Sequence, residues 1–287
     1  MDRVVEEKAK DHIKSVAVIG GGSWATALVK MLSGNGITVH WYIRSQDDVQ
    51  HILHYKSNPR YLSAAKLDTQ YVRPTADLQE VLEKDSEYIV MAVPSAFVAS
   101  ALEGFTPMDF EGKRVVSAIK GIVPGENILI SEYLEQYFMV DLEQMCFVGG
   151  PCHAEEVALE RRSFLTVAAD RQEVAEHFAT SIRSHYISTT TSDDVYGVEY
   201  CAVMKNIIAI ASGIAHGLSY GDNFQSVLVC NAMQEIERFL ERVYPVNRNL
   251  SGSAYLGDLL VTAYSQFSRN RTFGTVSYTH LTLPTIA

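Results

Sequence analysis

Short apolar segments alternate with segments of helical periodicity along the first two thirds of the chain. The predicted strands are rich in β-branched residues and cover residues 15–20, 37–43, 86–94, 114–120, 146–150, 164–169 and 186–192. Strands that alternate with helices are typical of a parallel sheet covered by helices. Because the first six of these strands are largely apolar, we expect them to be buried on both faces, and the last, residues 186–192, closes the region.

The pattern changes near residue 193, after which long helical segments follow without strand-like alternation. We therefore predict a flexible, charged N-terminal extension over residues 1–14, an α/β domain over 15–192 and an all-helical domain over 193–275. Residues 276–287 have neither helical periodicity nor a turn signal, and their first six letters match a reading frame of a sequencing adapter. We predict that this last segment is a non-native tail.

Composition narrows the possible partners and the compartment. The 34 acidic residues outnumber the 24 Lys and Arg residues, giving a formal charge of −10 that opposes binding to nucleic acid or to an anionic membrane. The four cysteines form no C-x-x-C pair, which favours free thiols and a cytoplasmic location. The longest apolar run, residues 88–102, contains Pro94 and is shorter than the roughly 20 residues of a membrane span, so no membrane anchor is predicted.

A glycine-rich turn follows the first predicted strand and opens a predicted helix. Gly20, Gly22 and Ala25 have the spacing G-x-G-x-x-A. In this context the glycines allow a tight turn and a close approach to a pyrophosphate, which binds the free N–H groups of the helix. The motif predicts a dinucleotide site in an N-terminal Rossmann-like, doubly wound sheet of the α/β class.

The residue after the second strand bears on the choice between NAD and NADP. Many NAD sites place a carboxylate there for the adenine ribose, but the first polar side chain in this chain is Arg44. A guanidinium can bind a 2′-phosphate through two hydrogen bonds, so NADP is favoured. Asp47 or Asp48 could still bind the ribose, and NAD stays open.

Lys205 lies within the apolar helical segment 201–215, where a purely structural helix is expected to carry leucine. Burial disfavours the charged form of lysine and suits it to proton transfer. Asp258, in the apolar segment 255–264, offers a carboxylate that could orient this ammonium group. Lys120, at the end of a predicted strand, is expected at the carboxyl edge of the sheet. A lysine whose head group reaches water is the alternative interpretation for Lys205.

Two further segments could bind an anion. Residues 268–274, SRNRTFG, concentrate Arg269, Asn270 and Arg271 in an otherwise acidic protein. Residues 149–156, GGPCHAEE, place a glycine-rich strand end before a helix start. The nine histidines show no H-x-x-x-H or H-E-x-x-H spacing, so no metal site is predicted.

Together these stretches resemble the bacterial type of NAD(P)-dependent glycerol-3-phosphate dehydrogenase. The resemblance spans residues 15–275 and rests on VIGGGSWATAL, AVPS, SAIKGI, GGPCHAEEVA, VEYCAVMKNIIAIASGIAHGLSYGDN and LGDLLVTAYSQFSRNRTFG, in that order. Lysine–asparagine in an apolar helix, followed by GDN, GDL and SRN, is its most specific part.

The resemblance implies roles for individual residues. Lys205 is implied to be the catalytic acid/base, with Lys120 and Asp258 as further catalytic groups. The implied substrate-binding residues are Lys120, Gly150, Cys152, Lys205, Asn206, Asp258, Ser268, Arg269 and Asn270. The implied cofactor-binding residues are Gly20, Gly22, Ser23, Trp24, Ala25, Arg44, Lys120, Ala154 and Arg269.

The implied reaction is reduction of dihydroxyacetone phosphate to glycerol 3-phosphate with NADPH or NADH, feeding glycerophospholipid synthesis in a homodimer. The family continues for several helices beyond residue 275, so the helical domain is expected to be truncated. One alternative is a related dehydrogenase acting on a hydroxyacid or on 6-phosphogluconate. Another is a truncated dinucleotide-binding protein without catalytic activity.

Overall fold

The structure, a computed structural model, describes residues 12–82 and 85–281. Its strands are β1 (Ser15–Ile19), β2 (Thr38–Tyr42), β3 (Val72–Thr75), β4 (Tyr88–Met91), β5 (Arg114–Ser117), β6 (Met145–Gly149), β7 (Ser163–Ala168) and β8 (Ile187–Ser192). Its helices are α1 (Ser23–Gly34), α2 (Gln46–Tyr55), α3 (Leu78–Leu82), α4 (Val98–Ala101), α5 (Ile130–Phe138), α6 (Ala154–Ala158), α7 (Gln172–Ile182), α8 (Val195–Gly217), α9 (Gly221–Val243), α10 (Asp258–Tyr264) and α11 (Arg269–Leu281).

Within the described residues, the strands form one sheet in the order β3-β2-β1-β4-β5-β6-β7-β8. The pairings with defined register are all parallel, for example Val18 beside Trp41 and beside Val90. The order reverses between β1 and β4, and open α/β sheets bind ligands at the carboxyl ends of strands at such a point. The predicted α/β, doubly wound fold class is confirmed.

The core explains why the predicted strands form. β4 and β6 are buried at every position, and Val16 to Ile19 of β1 are almost fully buried. Removing a valine or isoleucine side chain of this kind from water contributes about 1.5–3 kcal/mol to the free energy of unfolding. Helix α1 packs on β1 and β2 and also contacts α6 and α7, so the helix that follows the glycine turn is held on several sides.

Three strand predictions need correction. The fifth strand ends at Ser117 and not at Lys120, although Ala118 still donates to the Met91 carbonyl at 2.9 Å. The segment predicted over 86–94 is regular only over Tyr88–Met91. β3, which contains Pro74, was missed, and it lies at an edge of the sheet, where proline is tolerated.

The chain divides into two compact units. The sheet unit comprises the chain up to Val148 together with His153–Val195, and the helical unit comprises Gly149–Cys152 and the chain from Tyr196 onward. In the helical unit, α11 runs to Leu281 and so includes the first six residues of segment 276–287, which was expected to lack helical structure. The non-native origin of that segment stays a prediction. The flexible extension 1–14 lies mostly outside the described residues.

Helix α8 is the one helix in the described part of the chain with the length and mean hydropathy of a membrane span. Its most apolar window has a mean hydropathy of 1.4, and 56% of that window is buried inside the protein. It also carries Glu199 and Lys205, both buried. A core helix of a helical bundle can have the same length and hydropathy, and the burial of α8 and of its two charged residues is typical of such a helix.

Candidate functional site

The glycine turn after β1 has a backbone that other residues could not adopt. Gly20 has φ +132°, and a Cβ at this position would lie 2.6 Å from the Ala92 carbonyl oxygen at the end of β4. The Trp41 indole Nε1 of β2 donates to the Gly20 carbonyl at 2.7 Å. Glycine at position 20 therefore lets the turn pack directly against the neighbouring strand.

The next part of the turn is open and rich in hydrogen-bond donors. A Cβ on Gly22 would meet no atom within 4 Å. Helix α1 begins at Ser23 with no side-chain cap, and the first N–H groups of a helix have no acceptor within it. The Trp24 Nε1 atom is buried and has no hydrogen-bond partner among the described residues. Uncommitted donors at a helix start, beside open space, fit the pyrophosphate of a dinucleotide.

The loops after β4 and β5 meet beside this turn. A Cβ on Gly121 would overlap the side chain of Ser95, so glycine allows the two loops to touch. The preceding residue, Lys120, places its Nζ 5.4 Å from the centre of the Trp24 ring. A cation at this distance from an indole face is attracted by the ring. The structure thus brings together Trp24 and Lys120, two of the residues predicted to bind the cofactor.

The other predicted cofactor residues of the sheet unit lie at element ends. Ala25 is buried in the first turn of α1, and Ala154 is the buried first residue of α6. Arg44 is exposed and follows β2 by two positions. The Asp48 carboxylate accepts from Arg60 Nε at 2.8 Å, so one of the two acids that could bind an adenine ribose already has a cationic partner.

In the helical unit, Lys205 of α8 forms an ion pair with Asp258 of α10. Lys205 is 3% exposed and Asp258 is 2% exposed. The alternative interpretation, a lysine whose head group reaches water, is wrong. Asp258 follows a π-helical turn, Ser253–Gly257, and single π-helical turns are frequent at functional sites. Burial disfavours the ammonium ion and the adjacent carboxylate favours it, so the charge of Lys205 depends on this contact.

The segment Gly149–Cys152 packs against α8 and against the π-helical turn that precedes Asp258. A Cβ on Gly149 would lie 2.9 Å from Val198 Cγ1 of α8, and a Cβ on Gly257 would lie 3.6 Å from Pro151 Cγ. Gly150 has φ +107°, a conformation that favours glycine. The predicted substrate residues Gly150 and Cys152 therefore lie on a segment in contact with α8 and with the residue before Asp258.

The cationic segment forms the start of α11. Ser268 precedes the helix and its Oγ accepts from the Arg271 N–H at 3.3 Å, which makes it the N-cap. Arg269 and Asn270 are the first two helical residues, the former exposed and the latter half-buried. The guanidinium, the side-chain amide and the free N–H groups of the first turn suit a phosphate group.

Asn206, beside Lys205, is half-buried and donates from Nδ2 to the Ala202 carbonyl at 3.2 Å.

Sequence reasoning missed three supporting contacts. Buried Asn58 donates to the Gly21 carbonyl at 3.1 Å and to Thr26 Oγ1 at 2.8 Å, bracing the glycine turn. Thr262 Oγ1 donates to the Asp258 carbonyl at 2.6 Å. Asn58 precedes Pro59, a turn signal that was available in the sequence.

Comparison with known proteins identifies the family. A family model described as the N-terminus of NAD-dependent glycerol-3-phosphate dehydrogenase matches residues 15–175, and the corresponding C-terminal model matches residues 194–286. The chain belongs to the NAD-dependent glycerol-3-phosphate dehydrogenase family. The resemblance stated from the sequence is confirmed.

Individual glycerol-3-phosphate dehydrogenases support this membership. The chain is 34% identical over 259 residues to glycerol-3-phosphate dehydrogenase [NAD(P)+] of Bacillus subtilis, covering 90% of this chain and 74% of that protein. It is 35% identical over 260 residues to the protein of the same name from Syntrophomonas wolfei, covering 90% and 75%. The crystal structure of glycerol-3-phosphate dehydrogenase from Coxiella burnetii aligns with a TM-score of 0.86 and 28% identity, covering 94% of this chain and 81% of that one.

Proposed function

We propose that this protein catalyses the NAD(P)H-dependent reduction of dihydroxyacetone phosphate to sn-glycerol 3-phosphate and the reverse reaction. Family membership supports the reaction, since the relatives are named glycerol-3-phosphate dehydrogenase [NAD(P)+]. The observation that carries the chemistry is the buried ion pair of Lys205 and Asp258 in the helical unit.

The cofactor binds, in this proposal, at the glycine turn of the sheet unit. Gly20 allows the tight turn against the end of β4, Gly22 leaves room for the pyrophosphate, and the first N–H groups of α1 would bind it. Ser23, Trp24 and Ala25 line the turn. A bound reduced nicotinamide supplies the hydride that converts the ketone carbon to an alcohol carbon. Arg269 and Ala154 are proposed as further cofactor contacts.

Lys205 is proposed to be the general acid. Reduction of a ketone generates negative charge on the carbonyl oxygen, and the ammonium group of Lys205 gives that oxygen a proton. Asp258 holds the ammonium group in one orientation and favours its charged form between turnovers. In the reverse direction neutral Lys205 accepts the alcohol proton. Lys120 supplies a further positive charge that stabilises the developing oxyanion.

The substrate phosphate is proposed to bind at the start of α11. Arg269 and Asn270 provide side-chain donors, and Ser268 organises the first turn of the helix as its cap. Asn206, Gly150 and Cys152 are proposed to contact the rest of the substrate. A phosphate anchor of this kind favours a small phosphate monoester over a substrate that carries only a carboxylate.

For the cofactor we propose a preference for NADPH over NADH. Exposed Arg44 is available to a 2′-phosphate, and Asp48 is neutralised by Arg60.

We also propose a cytoplasmic homodimer that supplies glycerol 3-phosphate for phospholipid synthesis. Light scattering of the purified protein measures the oligomeric state directly.

Steady-state assays test the reaction. Purified protein is expected to oxidise NADPH when dihydroxyacetone phosphate is added, and Lys205→Ala is expected to lose turnover while cofactor binding stays measurable. Lys30→Ala is the matched control, since it removes a lysine that pairs with Glu160 at 2.9 Å at the surface.

Two other outcomes contradict the proposed reaction. Turnover with 6-phosphogluconate or another hydroxyacid, in the absence of turnover with dihydroxyacetone phosphate, supports the related-dehydrogenase alternative. Cofactor binding without turnover of any of these substrates supports a non-catalytic dinucleotide-binding protein.

A further inference from the structure

A buried polar network joins three helices of the helical unit at a distance from the ion pair. Ser212 of α8 is 1% exposed and Gln225 of α9 is 5% exposed. Ser212 Oγ donates to the Ala263 carbonyl of α10 at 2.6 Å. Gln225 Nε2 donates to Ser212 Oγ at 2.8 Å and to the Ser212 carbonyl at 3.0 Å.

The directions of these hydrogen bonds follow from the groups involved. Carbonyl oxygens accept and cannot donate, so the hydroxyl proton of Ser212 goes to Ala263. Ser212 Oγ is then the acceptor for Gln225, and the amide must present its NH2 group to both oxygen atoms of Ser212. Turning the amide over would place its oxygen against a carbonyl oxygen. The network therefore requires an amide at position 225, and a carboxylate there would be repelled.

The Ser212 hydroxyl also gives a hydrogen bond to a carbonyl group that has no partner within its own helix. Ala263 lies in the last turn of α10, where carbonyl groups have no N–H partner within the helix. A buried carbonyl group without a partner is destabilising, so this hydrogen bond holds the end of α10 against α8.

The same two helices carry the Lys205–Asp258 pair. Lys205 and Ser212 are seven residues apart on α8, which places them on one face about 10 Å apart. On α10, Asp258 is the first residue and Ala263 the last but one. Lys205–Asp258 and Ser212–Ala263 are thus two cross-links between one pair of helices, one near each end of α10. Two cross-links fix both the sliding and the rotation of α10 relative to α8, which a single contact leaves free.

We propose that Ser212 and Gln225 are positioning residues that hold α10 in register with α8 and so place the Asp258 carboxylate against the Lys205 ammonium group. The proposal rests on the proposed function only in assigning proton transfer to Lys205. Neither residue needs to touch substrate. Their contribution to turnover passes through Asp258.

The first test compares Ser212→Ala and Gln225→Glu with wild type in dihydroxyacetone phosphate reduction. Each variant is expected to lower kcat at least about tenfold, because small displacements of a catalytic group cost large factors in rate. The KM for NADPH is expected to change less than about twofold, since the dinucleotide motif lies in the sheet unit. Gln225→Met keeps the side-chain size but has no hydrogen-bond donor. It is expected to lower kcat as Gln225→Glu does, but by a smaller factor.

Ser181→Ala provides the matched control. Ser181 of α7 is also buried, and its Oγ donates to the Phe178 carbonyl of the same helix at 2.6 Å, so a buried hydroxyl–carbonyl hydrogen bond is lost in the sheet unit without loss of a link between helices. This control is expected to lower the urea midpoint of unfolding while leaving kcat within about twofold of wild type. An equal loss of kcat in Ser181→Ala would assign the effect to general stability and overturn the proposal. So would kcat within twofold of wild type in both network variants.

A second measurement does not depend on activity. The urea midpoints of Ser212→Ala, Asp258→Asn and the double variant form a double-mutant cycle. If α10 is held by both contacts, the midpoint losses are expected to be non-additive, whereas Ser181→Ala with Asp258→Asn is expected to be additive. Additive losses for Ser212→Ala overturn the positioning role even if the protein proves inactive. Inactive wild type with a non-additive cycle instead refutes the proposed reaction and leaves the coupling of the helices established.

Discussion

Lys205 and Asp258 form an ion pair in which both side chains are almost completely withdrawn from solvent. Without Lys205, the Asp258 carboxylate would be a buried charge that has lost its cation, and such a loss is costly. The pair is therefore both a stability feature and the centre of the proposed chemistry, and the two roles can be separated by mutation.

Breaking the pair from one side is expected to be costly. Lys205→Met leaves the Asp258 carboxylate buried without its cation and is expected to lower the free energy of unfolding by about 3–5 kcal/mol. The double variant Lys205→Met/Asp258→Leu removes both charges and is expected to be more stable than Lys205→Met, although inactive. Urea unfolding followed by circular dichroism measures both. A double variant less stable than the single one would contradict mutual compensation.

Gly20→Ala and Gly22→Ala are expected to separate folding from cofactor binding. At Gly20 a methyl group lies 2.6 Å from the Ala92 carbonyl and the φ of +132° is strained for alanine, so the variant is expected to lose at least about 1–3 kcal/mol of stability. At Gly22 the space is open and φ is −79°, so Gly22→Ala is expected to fold normally and bind NADPH more weakly. Thermal unfolding measures the stability of both variants, and fluorescence titration measures their affinity for NADPH. Equal losses of stability in the two variants would contradict the prediction.

Helices α8 and α11 approach each other through glycines on both sides. A Cβ on Gly213 would overlap the Arg271 carbonyl oxygen, one on Gly274 would overlap the Ile210 carbonyl oxygen, and Thr275 Oγ1 donates to the Gly213 carbonyl at 3.0 Å. Gly213→Ala is expected to lower stability by about 1–3 kcal/mol, because the backbones must separate. Gly34→Ala, at a helical glycine with open space around it, is the control and is expected to be neutral or stabilising by up to about 1 kcal/mol.

Alkaline pH is expected to destabilise the protein in part through Cys146. Burial raises the pKa of the Cys146 thiol to about 12, and the nearby Arg114 guanidinium opposes part of that rise. In the unfolded chain a cysteine has a pKa of about 8.5, so the unfolded state binds fewer protons between these values and stability falls as pH rises through that range. The slope from this one group is at most about 1.4 kcal/mol per pH unit.

Urea unfolding at about pH 8 and about pH 10.5 tests the role of this thiol. Cys146→Ala is expected to lose less stability than wild type between the two pH values. Cys230→Ala is the control. Because Cys230 is exposed, its replacement is expected to leave the pH dependence of stability unchanged. Identical pH dependence in wild type and Cys146→Ala would refute the assignment.

Arg44→Ala tests the proposed preference for NADPH. Losing a guanidinium that binds the 2′-phosphate is expected to raise the KM for NADPH about tenfold or more while changing the KM for NADH little. Arg60→Ala is the informative comparison, because it frees Asp48 and is expected to favour NADH. Equal changes of both KM values in Arg44→Ala would show that Arg44 does not discriminate between the cofactors.

Local pattern was sufficient for the strands that are apolar at all or nearly all positions, such as β1, β4 and β6, because burial on both faces leaves a continuous hydrophobic segment. It was insufficient for β3, whose sequence VRPT contains an arginine and a proline. That strand forms because it pairs with β2, with Val72 beside Val39, and such pairing leaves no periodicity in four residues. Lys120 was placed at a strand end, whereas the regular strand stops at Ser117, since boundaries depend on neighbouring strands.

The sequence alone determined that a glycine turn follows a buried strand and opens a helix, and that an ionisable lysine lies in an apolar helix. Both are local properties, set by backbone freedom and by the period of side-chain burial. Tertiary structure decided which groups meet. It placed Asp258 against Lys205, a contact that the sequence had only offered, and it brought together Trp24 with Lys120 and Ser212 with Gln225 and Ala263. These partners are distant along the chain, and their contacts depend on how helices and strands pack, which no local pattern of residues specifies.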